Sequence, residues 1–160
     1  MLLITMKFIK CVLQSNNANN TEQLAASLAK NIKGGEVLQL VSDLGGGKTT
    51  FTRGFARGLQ SKDVVSSPTF TVSNQYQGNK FNIYHFDFYR LQDPGIVANE
   101  LKEATEEPNA VVIIEWADVV QDVLPEDTVK INFEPSGDTT RTIIVHAPVN
   151  KLYLLEGLIV

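Results

Sequence analysis

The chain has 160 residues, 43% hydrophobic and 20% charged, with a formal charge of −4. That length suits a single domain over residues 1–160, burying roughly 70% of the unfolded surface. The acidic balance excludes a broad phosphate-neutralising face, so any role near RNA would run through partners or one local patch.

The opening MLLITMKFIK is apolar too briefly to span a membrane and lacks an A-x-A cleavage site, so a cytoplasmic setting is expected. Residues 6–13 read as a short strand. Its single cysteine, Cys11, excludes an intrachain disulfide and reads as a small buried hydrophobe. SNNANN then offers caps to a helix over TEQLAASLAKNI, where Leu24, Leu28 and Ile32 share one face and Gly34 and Gly35 end it. EVLQLV predicts a strand running into SDLGGGKTT at residues 42–50. Lys48–Leu59 follows as a helix, with Phe51, Phe55 and Leu59 spaced four apart.

Thr69–Tyr76 and Lys80–Phe86 read as strands around the hairpin signal QGNK, which implies an antiparallel element in the sheet. DPGIVANELKEAT suggests a short helix. AVVIIEW, five apolar residues before Glu115, fits a strand buried on both faces. After Pro125, TVKINF and TRTIIVHA flank the EPSGD turn as a second hairpin, and NKLYLLEGL reads as a final docking helix.

Residues 42–50 approach the phosphate-loop pattern G-x-x-x-x-G-K-[ST], with Ser42 in place of the first glycine. Gly45, Gly46 and Gly47 permit backbone angles that aim several N–H groups into one hollow, and the helix beginning near Lys48 adds its positive end. Lys48 is placed to reach β- and γ-phosphates and Thr49 to put its hydroxyl on Mg²⁺. Asp43, Leu44 and Thr50 complete the loop. Strand, loop and helix come in the order such a loop requires.

A magnesium nucleotide also needs an acidic residue at a strand end. Glu115 ends VVIIE and Asp87 ends IYHFD. Either carboxylate can contact the metal through water while the other orients the attacking water. Lys48, Asp87 and Glu115 are thus the candidate catalytic residues, and Thr49, Glu115 and Asp87 the candidate metal contacts. Trp116, the only tryptophan, can stack on a base or pack in the core. His85 reads as a structural histidine. Arg90 reads as a partner for Asp87 or phosphate, or as half of a surface ion pair. SSPTF, with Ser66, Ser67 and Thr69 around Pro68, lies where nucleotide hydrolases carry a switch segment.

DLGGGKTTFTRGFARGL, SPTFTVSNQY, HFDFYRL and IIEW, in this order and spacing, resemble the TsaE family, small bacterial ATPases of tRNA threonylcarbamoyladenosine biosynthesis. The resemblance runs from the Thr21 helix to the last hairpin. It implies an α/β fold of P-loop type with a mixed parallel/antiparallel central sheet flanked by helices. It also implies ATP and Mg²⁺ as cofactors, and TsaB and TsaD as partners whose complex is reset or activated by hydrolysis, tRNA being reached only through them. Thr49 and Glu115 match the family's metal-binding threonine and glutamate, Asp87 its functional aspartate, and Trp116 the adjoining tryptophan. Arg141 matches an arginine near the nucleotide, and Ala18–Thr21 lies where the family approaches the adenine. Two loop positions depart from the usual G-D-L-G-A-G-K-T, Ser42 for glycine and Gly46 for alanine, and residues 92–109 match the family helix poorly. The alternatives are a nucleotide-dependent scaffold without significant hydrolysis and a small GTPase-like switch. The latter lacks N-K-x-D, having NKFN at 79–82.

Overall fold

The computed structural model describes residues 7–158. In chain order these form β1 (Phe8–Ser15), α1 (Ala18–Ala29), β2 (Val37–Val41), α2 (Lys48–Gly58), β3 (Ser73–Gln77) and β4 (Asn82–Asp87). They continue with α3 (Ile96–Glu106), β5 (Ala110–Glu115), β6 (Val129–Pro135) and β7 (Arg141–Pro148). Short 3₁₀ segments cover Ala117–Val120 and Val149–Leu155.

The strands make one sheet in the order β1-β7-β6-β2-β5-β4-β3. Its centre, β6-β2-β5-β4, is parallel. The β3–β4 hairpin adds one antiparallel edge, and β7 and β1 add the other. This is the mixed α/β sheet expected from the two hairpin signals.

All six residues of β5 are buried. Val111 and Ile113 join a core with Phe51 and Phe55 of α2 and Leu28 of α1. Val112 and Ile114 join a second core with Phe86, Phe88 and Leu101 of α3. The unbroken apolar run therefore reflects a strand covered on both faces. Burying a large side chain such as Phe55 contributes roughly 2–3 kcal/mol. Helices α1 and α2 pack closely because Gly54 and Gly58, one turn apart, leave room for the α1 backbone; a Cβ on Gly58 would lie 2.6 Å from the Ala26 carbonyl oxygen.

Helix α1 starts at Ala18, three residues before the predicted Thr21, because Asn17 caps it. The Asn17 side chain accepts from the Asn20 N–H at 2.8 Å, and that of Asn20 accepts from the Asn16 N–H at 3.1 Å. Such a cap is worth about 1 kcal/mol. The helix ends at Ala29, ahead of the Gly34–Gly35 turn. Cys11 is buried on β1, whose predicted first residue, Met6, lies outside the described residues.

Two expectations are corrected. The strand predicted from Thr69 begins only at Ser73. Val72 has a left-handed φ of 67°, and its N–H donates to the Pro68 carbonyl at 2.6 Å. Residues 68–72 thus close a turn, which the Asp87 N–H, donating to the Val72 carbonyl at 2.8 Å, holds against β-branched propensity. The final segment is a kinked 3₁₀ run over Val149–Leu155, docked through the buried Leu154 and Leu155. No helix among the described residues is long and apolar enough to cross a membrane.

Candidate functional site

Parallel strands bring their carboxyl ends to one edge of a sheet, the usual place for a ligand in an α/β fold. Here Leu40 of β2 lies opposite Glu115 of β5, and Glu115 lies opposite Asp87 of β4. The glycine loop leaves β2 beside both carboxylates. Leu44 through Thr50, Ser67, Thr69, Asp87, Glu115 and Trp116 line one cleft of about 210 Å³. A larger cleft of about 440 Å³ lies between β3, β4 and α3. Glu100, Glu103 and Glu107 line it, and three carboxylates there oppose a phosphate.

The loop's form follows from its glycines. Gly45 and Gly47 hold φ of 76° and 105°, left-handed angles that cost an L-residue about 1–2 kcal/mol. Gly47 caps α2 without a side-chain hydrogen bond, so the first-turn N–H groups of α2 are left for an anion.

Lys48 is only 6% exposed. Its Nζ donates to the Ser42 hydroxyl at 2.9 Å, the Asp43 carbonyl at 3.1 Å and the Ser42 carbonyl at 3.2 Å. An ammonium has three hydrogens, and these acceptors match them. Nζ also sits 5.1 Å from the centre of the Trp116 ring. Burial pushes the Lys48 pKa below its ordinary value, while the charges of Glu115, Asp87 and Asp43 oppose that shift.

The two carboxylates are held differently. Both Asp87 oxygens are engaged: Oδ1 accepts from the Tyr89 N–H at 2.9 Å and Oδ2 from the Thr69 hydroxyl at 2.8 Å. Asp87 therefore ties the SSPTF segment to the site. Glu115, 3% exposed, accepts from His85 Nε2 at 2.8 Å on Oε1. Among the described residues nothing donates to its Oε2. His85 is fully buried, and its Nδ1 lies 3.5 Å from the Tyr76 hydroxyl, which donates to the Ser66 carbonyl. A chain of polar contacts so runs from Glu115 to the base of the same segment.

Trp116 takes a left-handed φ of 54°, which turns the backbone at the strand end and leaves its ring half-buried over the cleft. Tyr89 packs against it at 4.9 Å. The bulky residue in this conformation stores strain at the site.

Most predicted site residues thus meet in one place: Leu44, Gly45, Gly46, Gly47, Lys48, Thr49, Thr50, Asp87, Glu115 and Trp116. Two do not line the cleft. Asp43 is exposed and contributes its carbonyl to Lys48. Arg141 starts β7 on the same edge of the sheet, but its guanidinium donates to the Thr140 and Gly137 carbonyls at 2.8 and 3.3 Å, which spends it on its own turn. Arg90 neither pairs with Asp87 nor forms an ion pair among the described residues; it lies 4.2 Å over the exposed Phe70 ring.

Sequence reasoning left out two contributors, His85 as the support of Glu115 and Tyr89 as the partner of Trp116. The first had a signal. His85 and Asp87 are two apart on one strand, so both point to the same face, and a diagonal neighbour across the pair is within reach of a long side chain.

The donor set fits a magnesium nucleotide. Loop N–H groups and Lys48 suit phosphate oxygens, and a hydroxyl with one open carboxylate oxygen suits a hard cation that keeps most of its ligands from phosphate and water. Among the described residues no three His, Cys, Asp or Glu side chains converge into a cage of protein ligands alone.

The family described as "Threonylcarbamoyl adenosine biosynthesis protein TsaE" matches residues 15–143. A protein of Bacillus subtilis (strain 168) named tRNA threonylcarbamoyladenosine biosynthesis protein TsaE is 36% identical over 141 residues, covering 87% of either chain. A Treponema pallidum (strain Nichols) protein of the same name is 35% identical over 141 residues, 86% of this chain and 99% of that one. A crystal structure of YdiB from B. subtilis aligns with a TM-score of 0.77 at 31% identity and covers 94% of each chain. Motif order, sheet topology and these likenesses agree: the chain belongs to the TsaE family.

Proposed function

We propose that the chain is the ATP-binding and ATP-hydrolysing subunit of tRNA threonylcarbamoyladenosine biosynthesis. One observation supports this most: Lys48, Thr49, Asp87 and Glu115, separated by up to 67 positions, line one cleft at the carboxyl ends of parallel strands. The role in this biosynthesis rests on membership of the family.

In this reading the N–H groups of Gly45 and Gly47 cradle the phosphates, with the first turn of α2 beneath them, while the Gly46 N–H donates to the Asp43 carbonyl at 3.1 Å and holds the loop closed. Lys48 exchanges its two backbone acceptors, the Ser42 and Asp43 carbonyls, for β- and γ-phosphate oxygens and keeps the Ser42 hydroxyl. A bound Mg²⁺ would supply positive charge against the charge that develops on the phosphates. Thr49 and the open Oε2 of Glu115 would hold it, directly or through water, and His85 keeps Glu115 turned that way. Asp87, engaged by Thr69 and the Tyr89 N–H, links the γ-phosphate position to the SSPTF segment and orients the attacking water. Trp116 offers its face to the nucleotide.

Hydrolysis then resets or activates a complex of TsaB and TsaD, so that threonylcarbamoyl transfer to tRNA can turn over again. Partners fit a chain whose net charge of −4 gives RNA little to bind directly. The test measures ATP hydrolysis alone and with TsaB–TsaD, then multiple-turnover tRNA modification with Lys48→Ala. Stimulation by the partners and loss of turnover in the variant are expected. Equal multiple turnover with Lys48→Ala rejects the proposal.

A further inference from the structure

Ser42 and Gly46 face each other across the base of the glycine loop. The Ser42 hydroxyl donates to the Asp43 carbonyl at 2.8 Å and accepts from Lys48 Nζ at 2.9 Å. Gly46, unlike Gly45 and Gly47, is not left-handed, so its backbone angles do not require glycine. Its surroundings do. A Cβ at position 46 would lie 2.5 Å from the Ser42 Cβ, closer still to the Ser42 hydroxyl oxygen, and 3.1 Å from the Asp43 carbonyl oxygen. The hydroxymethyl group of Ser42 fills the space that a methyl group on residue 46 would need.

We infer that Ser42 and Gly46 are a size-matched pair and that Ser42 is a positioning residue, its hydroxyl fixing the Lys48 ammonium beside the phosphate cradle. The positioning role rests on the nucleotide-binding reading above; the size match does not. Three oxygens receive Lys48, and two are backbone carbonyls that any residue would supply. The third belongs to the Ser42 side chain and can be removed by substitution. Lys48 is buried, so losing one acceptor leaves a desolvated N–H to seek another and lets the ammonium shift. A shift of the group that meets the β- and γ-phosphates affects the rate more than the ground-state affinity, because charge on those phosphates changes in the transition state.

The experiment compares wild type, Ser42→Ala, Ser42→Gly, Gly46→Ala and the double variant Ser42→Gly/Gly46→Ala. Thermal melting, MgATP affinity from the fluorescence of the single Trp116, and steady-state hydrolysis are read for each. Gly46→Ala is expected to weaken MgATP binding about tenfold or more and to lower the melting temperature. Adding Ser42→Gly should recover most of both losses, a positive coupling between touching sites. Ser42→Ala, which keeps Cβ and removes only the acceptor, should lower kcat about threefold to tenfold with KM within about twofold. The size match is overturned if Gly46→Ala is tolerated alone or if Ser42→Gly fails to rescue it. The positioning role is overturned if Ser42→Ala leaves kcat unchanged. Should the wild type bind no MgATP, the nucleotide reading itself fails, and melting temperatures alone still decide the size match.

Discussion

Glu36 and Glu115 are both buried, at 1% and 3% exposure, at opposite ends of the parallel strands. Glu36 precedes β2. Its Oε1 accepts from the Lys33 N–H and the Tyr153 hydroxyl, each at 2.7 Å, and its Oε2 from the Gly34 N–H at 2.8 Å. Glu115 ends β5 and, among the described residues, has one such bond, from His85. The same side chain is saturated at one end of the sheet and half-saturated at the other. A buried carboxylate whose oxygens are both engaged closes a structure. One left with an open oxygen beside a glycine loop and a buried lysine has capacity for a ligand.

Removing Glu36 is the largest test of that contrast. Glu36→Ala leaves two N–H groups and a hydroxyl without their acceptor, so a loss of about 3–4 kcal/mol is expected in urea unfolding. The nucleotide affinity of the folded fraction should be retained, because Glu36 lies at the far end of the strands. Lys48→Ala should show the reverse: MgATP affinity falling about 100-fold, followed through Trp116 fluorescence, with a melting temperature shifted by only a few degrees. A variant of either site that lost both properties equally would break the division.

Glu115→Gln is a milder change. It keeps the shape and an acceptor for His85 but removes the charge, so the Mg²⁺ concentration giving half-maximal hydrolysis should rise about tenfold. An unchanged magnesium requirement would count against Glu115 as a metal contact.

Tyr153→Phe sharpens the saturated end. Loss of the bond to Glu36 should cost about 1 kcal/mol at neutral pH. It should also alter the alkaline limb. Burial, then the bond to Glu36, raises the Tyr153 pKa above its ordinary 10.0. In the unfolded chain this hydroxyl ionises first, so above about pH 10 the folded state binds more protons and stability falls as pH rises. The contribution is full below that pH. Unfolding free energies at about pH 8 and about pH 11 should therefore differ less in Tyr153→Phe than in wild type.

Much of the site could be read along the chain because its parts are local. The glycine cluster, Lys48 and Thr49 are contiguous, and a hydrophobic strand before them and a four-residue apolar spacing after them set the loop between β2 and α2. The run before Glu115 marked a strand buried on both faces, as β5 is. The segment at 69–72 misled because its residues favour a strand singly, while the Val72 carbonyl accepts from the Asp87 N–H at 2.8 Å and holds the segment as a turn. Arg141 lay in the right hairpin and at the right edge, yet where its guanidinium points depends on the carbonyls of a turn that composition does not describe.

Ser42 shows the division most plainly. By sequence it was a glycine replaced, and Gly46 was an alanine replaced, four residues apart and unrelated. In the fold the two meet, and the side chain absent from one position occupies the other's space. The sequence by itself determined most of the strands and helices and the glycine loop between β2 and α2, because hydrophobic period, glycine freedom and capping act over a few neighbouring residues. Tertiary structure decided that Asp87 lies opposite Glu115, that His85 leaves one oxygen of Glu115 open, and that Ser42 receives Lys48. The first two depend on strand register between distant segments, where a shift of one residue would turn each group to the other face of the sheet, and the third on how the glycine loop folds back over its own base.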